Sequence, residues 1–332
     1  MREFSLQASQ ITNESYKHRK GHQLSSSDHN PHGPDVVVRP DRRFGIDAVR
    51  GWLVGFAAGT LGLGPWLISG ARLPLQNLWG ADTLPDQMPI ALLPLNQYKL
   101  TTIVVLLVVG GAAAGLAVRM WGPTRRELVT RWAAAGVLTV QVVAMIQSFI
   151  VLDDGLMIGT AATIYIVGLL IGGIASLAVT LIVLLLIAAR SRTTTALGIG
   201  LISVPVASWT GEWVVGVLGQ MNVPAGLPTV TRWIPAVLVG GALAWCGLHS
   251  VRQGVVWLTN LAFLWLVPAL FTSISYVFGT RLSLGNPQEM LILSRQILTA
   301  TLGPDGGAVP IVLLALLLAV LGIGVRSCSA PR

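Results

Sequence analysis

From Asp47 onward the chain returns repeatedly to apolar runs of about 20 residues, the length an α-helix needs to cross roughly 30 Å of hydrocarbon. Eight such runs are legible, at 47–69, 99–120, 132–152, 160–189, 197–220, 233–250, 255–279 and 308–325. Segments in lipid must satisfy their own backbone hydrogen bonds, which only a helix does within one segment. The expected fold class is therefore an all-α integral membrane protein, a bundle of about eight transmembrane helices. Composition agrees: 11% of residues are charged, against about 25% in an ordinary soluble domain.

Residues 1–43 differ in kind. They are polar, with Ser25, Ser26 and Ser27 in a row and His18, His22, His29 and His32 irregularly spaced. Such a segment buries too little apolar surface to offset its ordering entropy, and it reads as a disordered basic cytoplasmic tail. It has no apolar stretch of the kind a secretory signal needs. The polytopic domain is expected over 44–332.

The net charge of +8 suggests nucleic acid only for a soluble chain. Here, placing the N-terminus inside puts 17 of the 22 Lys and Arg on the inner side. Inner loops retain such residues, so both termini are expected in the cytoplasm and the protein in a bacterial cell membrane. The basic residues then serve anionic headgroups. The expected partners are the lipid bilayer, a protein bound at the tail or outer loops, or a second copy of the chain; no nucleic acid is expected.

Val109-Gly110-Gly111-Ala112 in the second run has a counterpart in Val239-Gly240-Gly241-Ala242 of the sixth. Each is followed by an apolar run opening near a tryptophan, Trp132 or Trp257, and each half closes before an arginine, Arg190 or Arg326. Two readings stay open: coincidence in a low-complexity chain, or a 4+4 tandem duplication with halves at 47–190 and 197–326. Helix pairs also have close-approach signals, with Gly51, Gly55 and Gly59 at four-residue spacing, then Gly111 and Gly115, then Gly168 and Gly172. Glycine at that spacing lets helix backbones touch, within one chain or between two copies.

The outer loops are long. The first, 70–98, carries Pro74, Pro85, Pro89 and Pro94 and reads as a non-helical lid or interfacial loop. In the last, Asn286-Pro287-Gln288-Glu289 reads as a helix start, and Met290, Leu293, Ile297 and Leu298 recur at helical spacing, predicting a short amphipathic or re-entrant helix on the outer surface.

Chemistry is sparse. Glu212 is the one acid placed inside a run, and an ionisable group in hydrocarbon is by default a functional candidate; it reads either as an outer-interface acid flanked by Trp209 and Trp213 or as a protonatable or cation-coupling site facing a cavity. Gln141, Gln147 and Asn260 are intramembrane amides, either packing glue or members of a transport site with Glu212. Asp153 and Asp154 end the third run in a turn with Gly155. No phosphate loop and no H-E-x-x-H occur, and the two cysteines, Cys246 and Cys328, suggest neither disulfide nor metal. No cofactor, no metal site and no catalytic residue are expected, and whether the chain is an enzyme stays open on the side of not. Three function classes follow. They are a transporter or permease, alone or as a subunit of a larger one; a scaffold or assembly factor for envelope or division machinery; and a membrane-embedded enzyme.

Overall fold

The computed structural model describes residues 42–279, 287–303 and 306–329, so the tail read at 1–43 falls almost wholly outside the described residues, as does Asn286. Among the described residues ten α-helices follow one another: α1 Arg42–Ile68, α2 Leu100–Trp121, α3 Arg126–Gly155, α4 Thr160–Ala188, α5 Arg192–Leu218, α6 Leu227–Thr231, α7 Ile234–Cys246, α8 Val251–Gly279, α9 Pro287–Leu302 and α10 Ala308–Ser329. Eight segments are long and apolar enough to cross a membrane, with α6 and α7 together forming the sixth and α9 forming none. The chain is an all-α, multi-pass membrane bundle.

Helix ends follow local chemistry. Gly122 and Gly247 stop α2 and α7 in left-handed conformations, with φ of 59° and 78°, and Ser191 caps α5 by accepting the Thr194 N–H. The third helix is longer than its apolar run. It starts at Arg126 and runs to Gly155, so Asp153 and Asp154 lie in its last turn and not in a tight turn after it. Its end is held from outside, because the Gly80 N–H donates to the Gly155 carbonyl at 2.9 Å.

Glycines decide which helices touch. A Cβ on Gly55 would lie 1.9 Å from the Ala133 carbonyl oxygen, and one on Gly136 would lie 2.1 Å from that of Trp52. The α1 stripe of Gly51, Gly55 and Gly59 is thus filled by α3 of the same chain. Gly111 and Gly115 of α2 meet Thr180 and Leu184 of α4 in the same way, whereas Gly168 and Gly172 face open space.

Within residues 42–188, α1 packs on α2 and α3, and α2 packs on α4. Within 192–329, α5 packs on α7 and α8, and α7 packs on α10. There Gly240 lies under Ala315 and Leu318, and Gly322 under Ala244. The link between the two sets is α5, which also packs on α1, α2 and α4.

Arg119 at the end of α2 donates to the Ala189 carbonyl just past α4, and Arg326 of α10 donates to the Ala244 and Trp245 carbonyls of α7 at 3.0 Å. These helix ends therefore share one side, here termed the arginine face. The opposite side carries the segment 70–99, here termed the cap. The short helix α9 packs on α8 through Met290, Leu293, Ser294, Ile297 and Leu298, the less exposed positions of its length. Ser273 and Ser294 hydroxyls pair across this seam at 3.2 Å.

Candidate functional site

Glu212 belongs to α5, six residues before its end at Leu218, a depth of about 9 Å at 1.5 Å per residue. It is half-buried and turned toward α2, where the buried Thr102 hydroxyl donates to Glu212 Oε1 at 3.1 Å. The other edges of α5 fix this orientation. The Trp209 indole N–H donates to the Gly62 carbonyl of α1 at 3.0 Å, Trp213 lies over Gly64, and Gly216 leaves room for the Pro65 carbonyl. With tryptophans holding α1 on one side, the carboxylate is left on the side of α2.

One turn below Glu212, Ser208 lines an open cleft of about 420 Å³ together with Thr101, Phe271, Thr272, Ser275 and Tyr276. The cleft lies where α2, α5 and α8 meet, so its walls come from both helix sets. Five of its six lining side chains carry hydroxyls, and the Thr101 and Ser275 hydroxyls pair at 3.3 Å across it. Hydroxyls both donate and accept, so this wall can exchange hydrogen bonds with a polar solute without presenting a fixed charge. Helix α8 is weakened next to it: Pro268 lies inside the helix and withholds one backbone donor, while the Thr272 hydroxyl turns back to the Pro268 carbonyl at 2.9 Å.

Gln147 serves a different purpose from the cleft. The Leu92 N–H donates to Gln147 Oε1 at 2.9 Å, and Gln147 Nε2 donates to the Ile90 carbonyl at 2.9 Å. Beside it the Leu93 N–H donates to the Ser148 hydroxyl at 2.8 Å. The amide of Gln147 thus acts as a strand edge for an extended segment of the cap. Since Gln147 precedes the end of α3 at Gly155 by eight residues, that segment descends about 12 Å alongside the helix. Extended backbone at such depth is tolerated only inside protein, and Leu93, Leu95, Met88 and Ala91 are fully buried. Two further side chains bond to it: Trp66 donates to the Ala91 carbonyl at 2.8 Å and Gln76 to the Leu95 carbonyl at 2.7 Å; around them Asn96 donates to Leu75 at 2.6 Å and Tyr165 to Gln76 Oε1 at 2.7 Å.

Gln141 and Asn260 are completely buried, each in its own helix set. Gln141 donates to the Leu107 carbonyl of α2 at 2.7 Å; Asn260 donates to the Val256 carbonyl of its own helix at 2.8 Å and lies over Gly200 of α5. The carbonyl oxygens of both amides lack a donor. The four polar candidates therefore share no partner: Glu212 belongs with α2, Gln147 with the cap, Gln141 with the α2–α3 seam and Asn260 with the α5–α8 seam. The site residues that sequence reasoning missed include Thr101, Thr102, Ser208 and Tyr276. Thr101 and Thr102 open the most buried span of the bundle, and that pairing of polarity with a buried helix start was the available signal.

Among the described residues, no three His, Cys, Asp or Glu side chains gather as a metal site. The chain matches no known protein family, no curated protein and no solved structure, so its function has to be read from these side chains.

Proposed function

We propose that this chain is a secondary transporter of the bacterial cell membrane, moving a small polar solute through the hydroxyl-lined cleft, with Glu212 as its protonatable coupling group. The observation that carries the reading is the position of the cleft: it opens between the two helix sets, within a turn of a half-buried carboxylate held by a helix hydroxyl. The two sets, 47–190 and 197–326, are tandem repeats in this reading, and their equivalent neighbour order supports it, since the first helix of each packs on the second and third and the second packs on the fourth. An even number of crossings per repeat makes the repeats parallel, and substrate sites in such folds lie between them near the midplane. The arginine face is the cytoplasmic one, by the bias of Lys and Arg toward retained loops.

Alternating access predicts that one wall of the cleft meets water from either side in turn. In a background lacking Cys246 and Cys328, Ser275→Cys is expected to react with a membrane-impermeant thiol reagent in both right-side-out and inverted vesicles. The ratio of the two reactivities is expected to change in Glu212→Gln, because that replacement removes the charge that disfavours occlusion. Glu212→Gln should leave the protein monodisperse, since a glutamine oxygen still accepts from Thr102. Reactivity from the cap side alone, unaltered by Glu212→Gln, would favour a static scaffold, assembly factor or permease subunit instead.

A further inference from the structure

Among the described residues the arginine face gathers three cations to which no carboxylate is hydrogen-bonded, Glu127 beside Arg126 included. Arg119 ends α2, Arg126 opens α3 and Arg192 opens α5. Arg126 and Arg192 are both close enough to act coulombically on Arg119. The guanidinium carbons of Arg119 and Arg192 lie 5.0 and 5.6 Å from the centre of the same indole, Trp245. The backbone that carries this indole is held by Arg326, which donates to the Ala244 and Trp245 carbonyls. Arg119 is held by its bonds to the Ala189 carbonyl and, at 2.6 Å, the Thr195 hydroxyl.

Three like charges at a helix-end surface repel, and an aromatic face offsets only part of that cost. Among the described residues no carboxylate hydrogen-bonds to any of the three. Arg126 makes the deficit sharper: its Nε and Nη2 are enclosed by protein yet have no acceptor, and an enclosed charged donor without an acceptor is costly. The starts of α3 and α5 add unpaired backbone N–H groups and the positive end of each helix dipole.

We propose that Arg119, Arg126 and Arg192, on the floor of Trp245, form a binding site for a phosphate group, supplied either by an anionic phospholipid or by a phosphorylated solute. Guanidinium forks match phosphate oxygens two at a time, and basic pockets at helix ends facing anionic headgroups are where membrane proteins hold such lipids. The site is independent of the cleft and of transport.

The test uses the full chain, delipidated in a neutral detergent, with phosphatidylglycerol, phosphatidylcholine and inorganic phosphate as separate probes. Native mass spectrometry counts retained lipid, and the thermal midpoint reports stabilisation. Wild type is expected to retain phosphatidylglycerol over phosphatidylcholine. R192Q and R126Q should each weaken that retention about tenfold, the worth of one charge-assisted hydrogen bond. Arg192 makes no hydrogen bond within the described chain, so R192Q is expected to stay folded and monodisperse. R252Q, which removes an arginine of the same face outside the cluster, should change nothing. If inorganic phosphate stabilises wild type but not R192Q and displaces phosphatidylglycerol, the ligand is a soluble phosphate at the same site. Equal retention by R192Q, R126Q and R252Q, or equal retention of both lipids by wild type, overturns the proposal.

Discussion

Replacing Gly55 with valine is expected to separate α1 from α3 and to lower the stability of the bundle by about 3 kcal/mol or more, the upper range for overpacking a closed seam. The clash is with backbone: a Cβ at this position would lie 1.9 Å from the Ala133 oxygen and 2.7 Å from its carbonyl carbon, and neither can rotate away as a side chain would. Gly136→Ala should behave similarly, since its Cβ meets the Trp52 oxygen from the other helix. Gly168→Ala is the matched control. It lies at the same spacing in sequence from Gly172 as Gly51 from Gly55, but meets nothing, and alanine there should be neutral or better by up to about 1 kcal/mol. Thermal midpoints of detergent-solubilised protein, read by size exclusion, separate the two outcomes. Equal midpoints for Gly55→Val and Gly168→Ala would refute the close approach.

Gln147→Met is the second large effect. The replacement keeps the side chain's length and loses both of its bonds, leaving the Leu92 N–H and the Ile90 carbonyl without partners. At about 1–3 kcal/mol for each unsatisfied group, the cap segment should be destabilised by roughly 2–6 kcal/mol. The cap is expected to lift locally while the helices persist, so amide exchange at Leu92 and Leu93 should accelerate, and trypsin should cut at Arg72 or Lys99 at the cap's edges. Unchanged exchange at those two amides would show that Gln147 is not its anchor. Gln147→Glu should be intermediate, because one acceptor remains for Leu92 while the donor to Ile90 is gone.

The spans were legible because burial in lipid leaves a composition signal that does not depend on neighbours: every run read from apolarity coincides with a helix, and Met290, Leu293, Ile297 and Leu298 of α9 are, with Ser294, less exposed than the residues between them, as their spacing required. What a polar residue inside a span is for was not legible, because that depends on a partner far along the chain. Gln147 reads as intramembrane glue, yet its partners are backbone groups of a proline-rich loop, and backbone leaves no trace in side-chain identity. The two small-residue pairs show the same limit, since Gly51/Gly55 and Gly168/Gly172 have one spacing and opposite environments. Glu212 was singled out by its charge alone; its hydroxyl neighbours Thr102 and Ser208 were not, because hydroxyls are common in apolar helices and only the junction of α2, α5 and α8 gives these ones a shared wall.

The buried strand of the cap also constrains how the protein is made. Residues 90–93 leave the ribosome before α2, but the α3 groups that Leu92 and Leu93 bond to are encoded 55 residues later. At about 5–20 residues per second, the segment waits roughly 3–11 s for α3 to be synthesised. During that interval Ala91 can already pair with Ala71 and Trp66, but the Leu92 and Leu93 N–H groups and the Ile90 carbonyl have only water as a partner, so this stretch stays on the aqueous side while α1 and α2 are already in the bilayer. Closing the cap is thus a late step of biogenesis, available only after α3 has crossed, and an arrest of synthesis before Gln147 leaves a membrane-inserted hairpin with an open, protease-accessible loop.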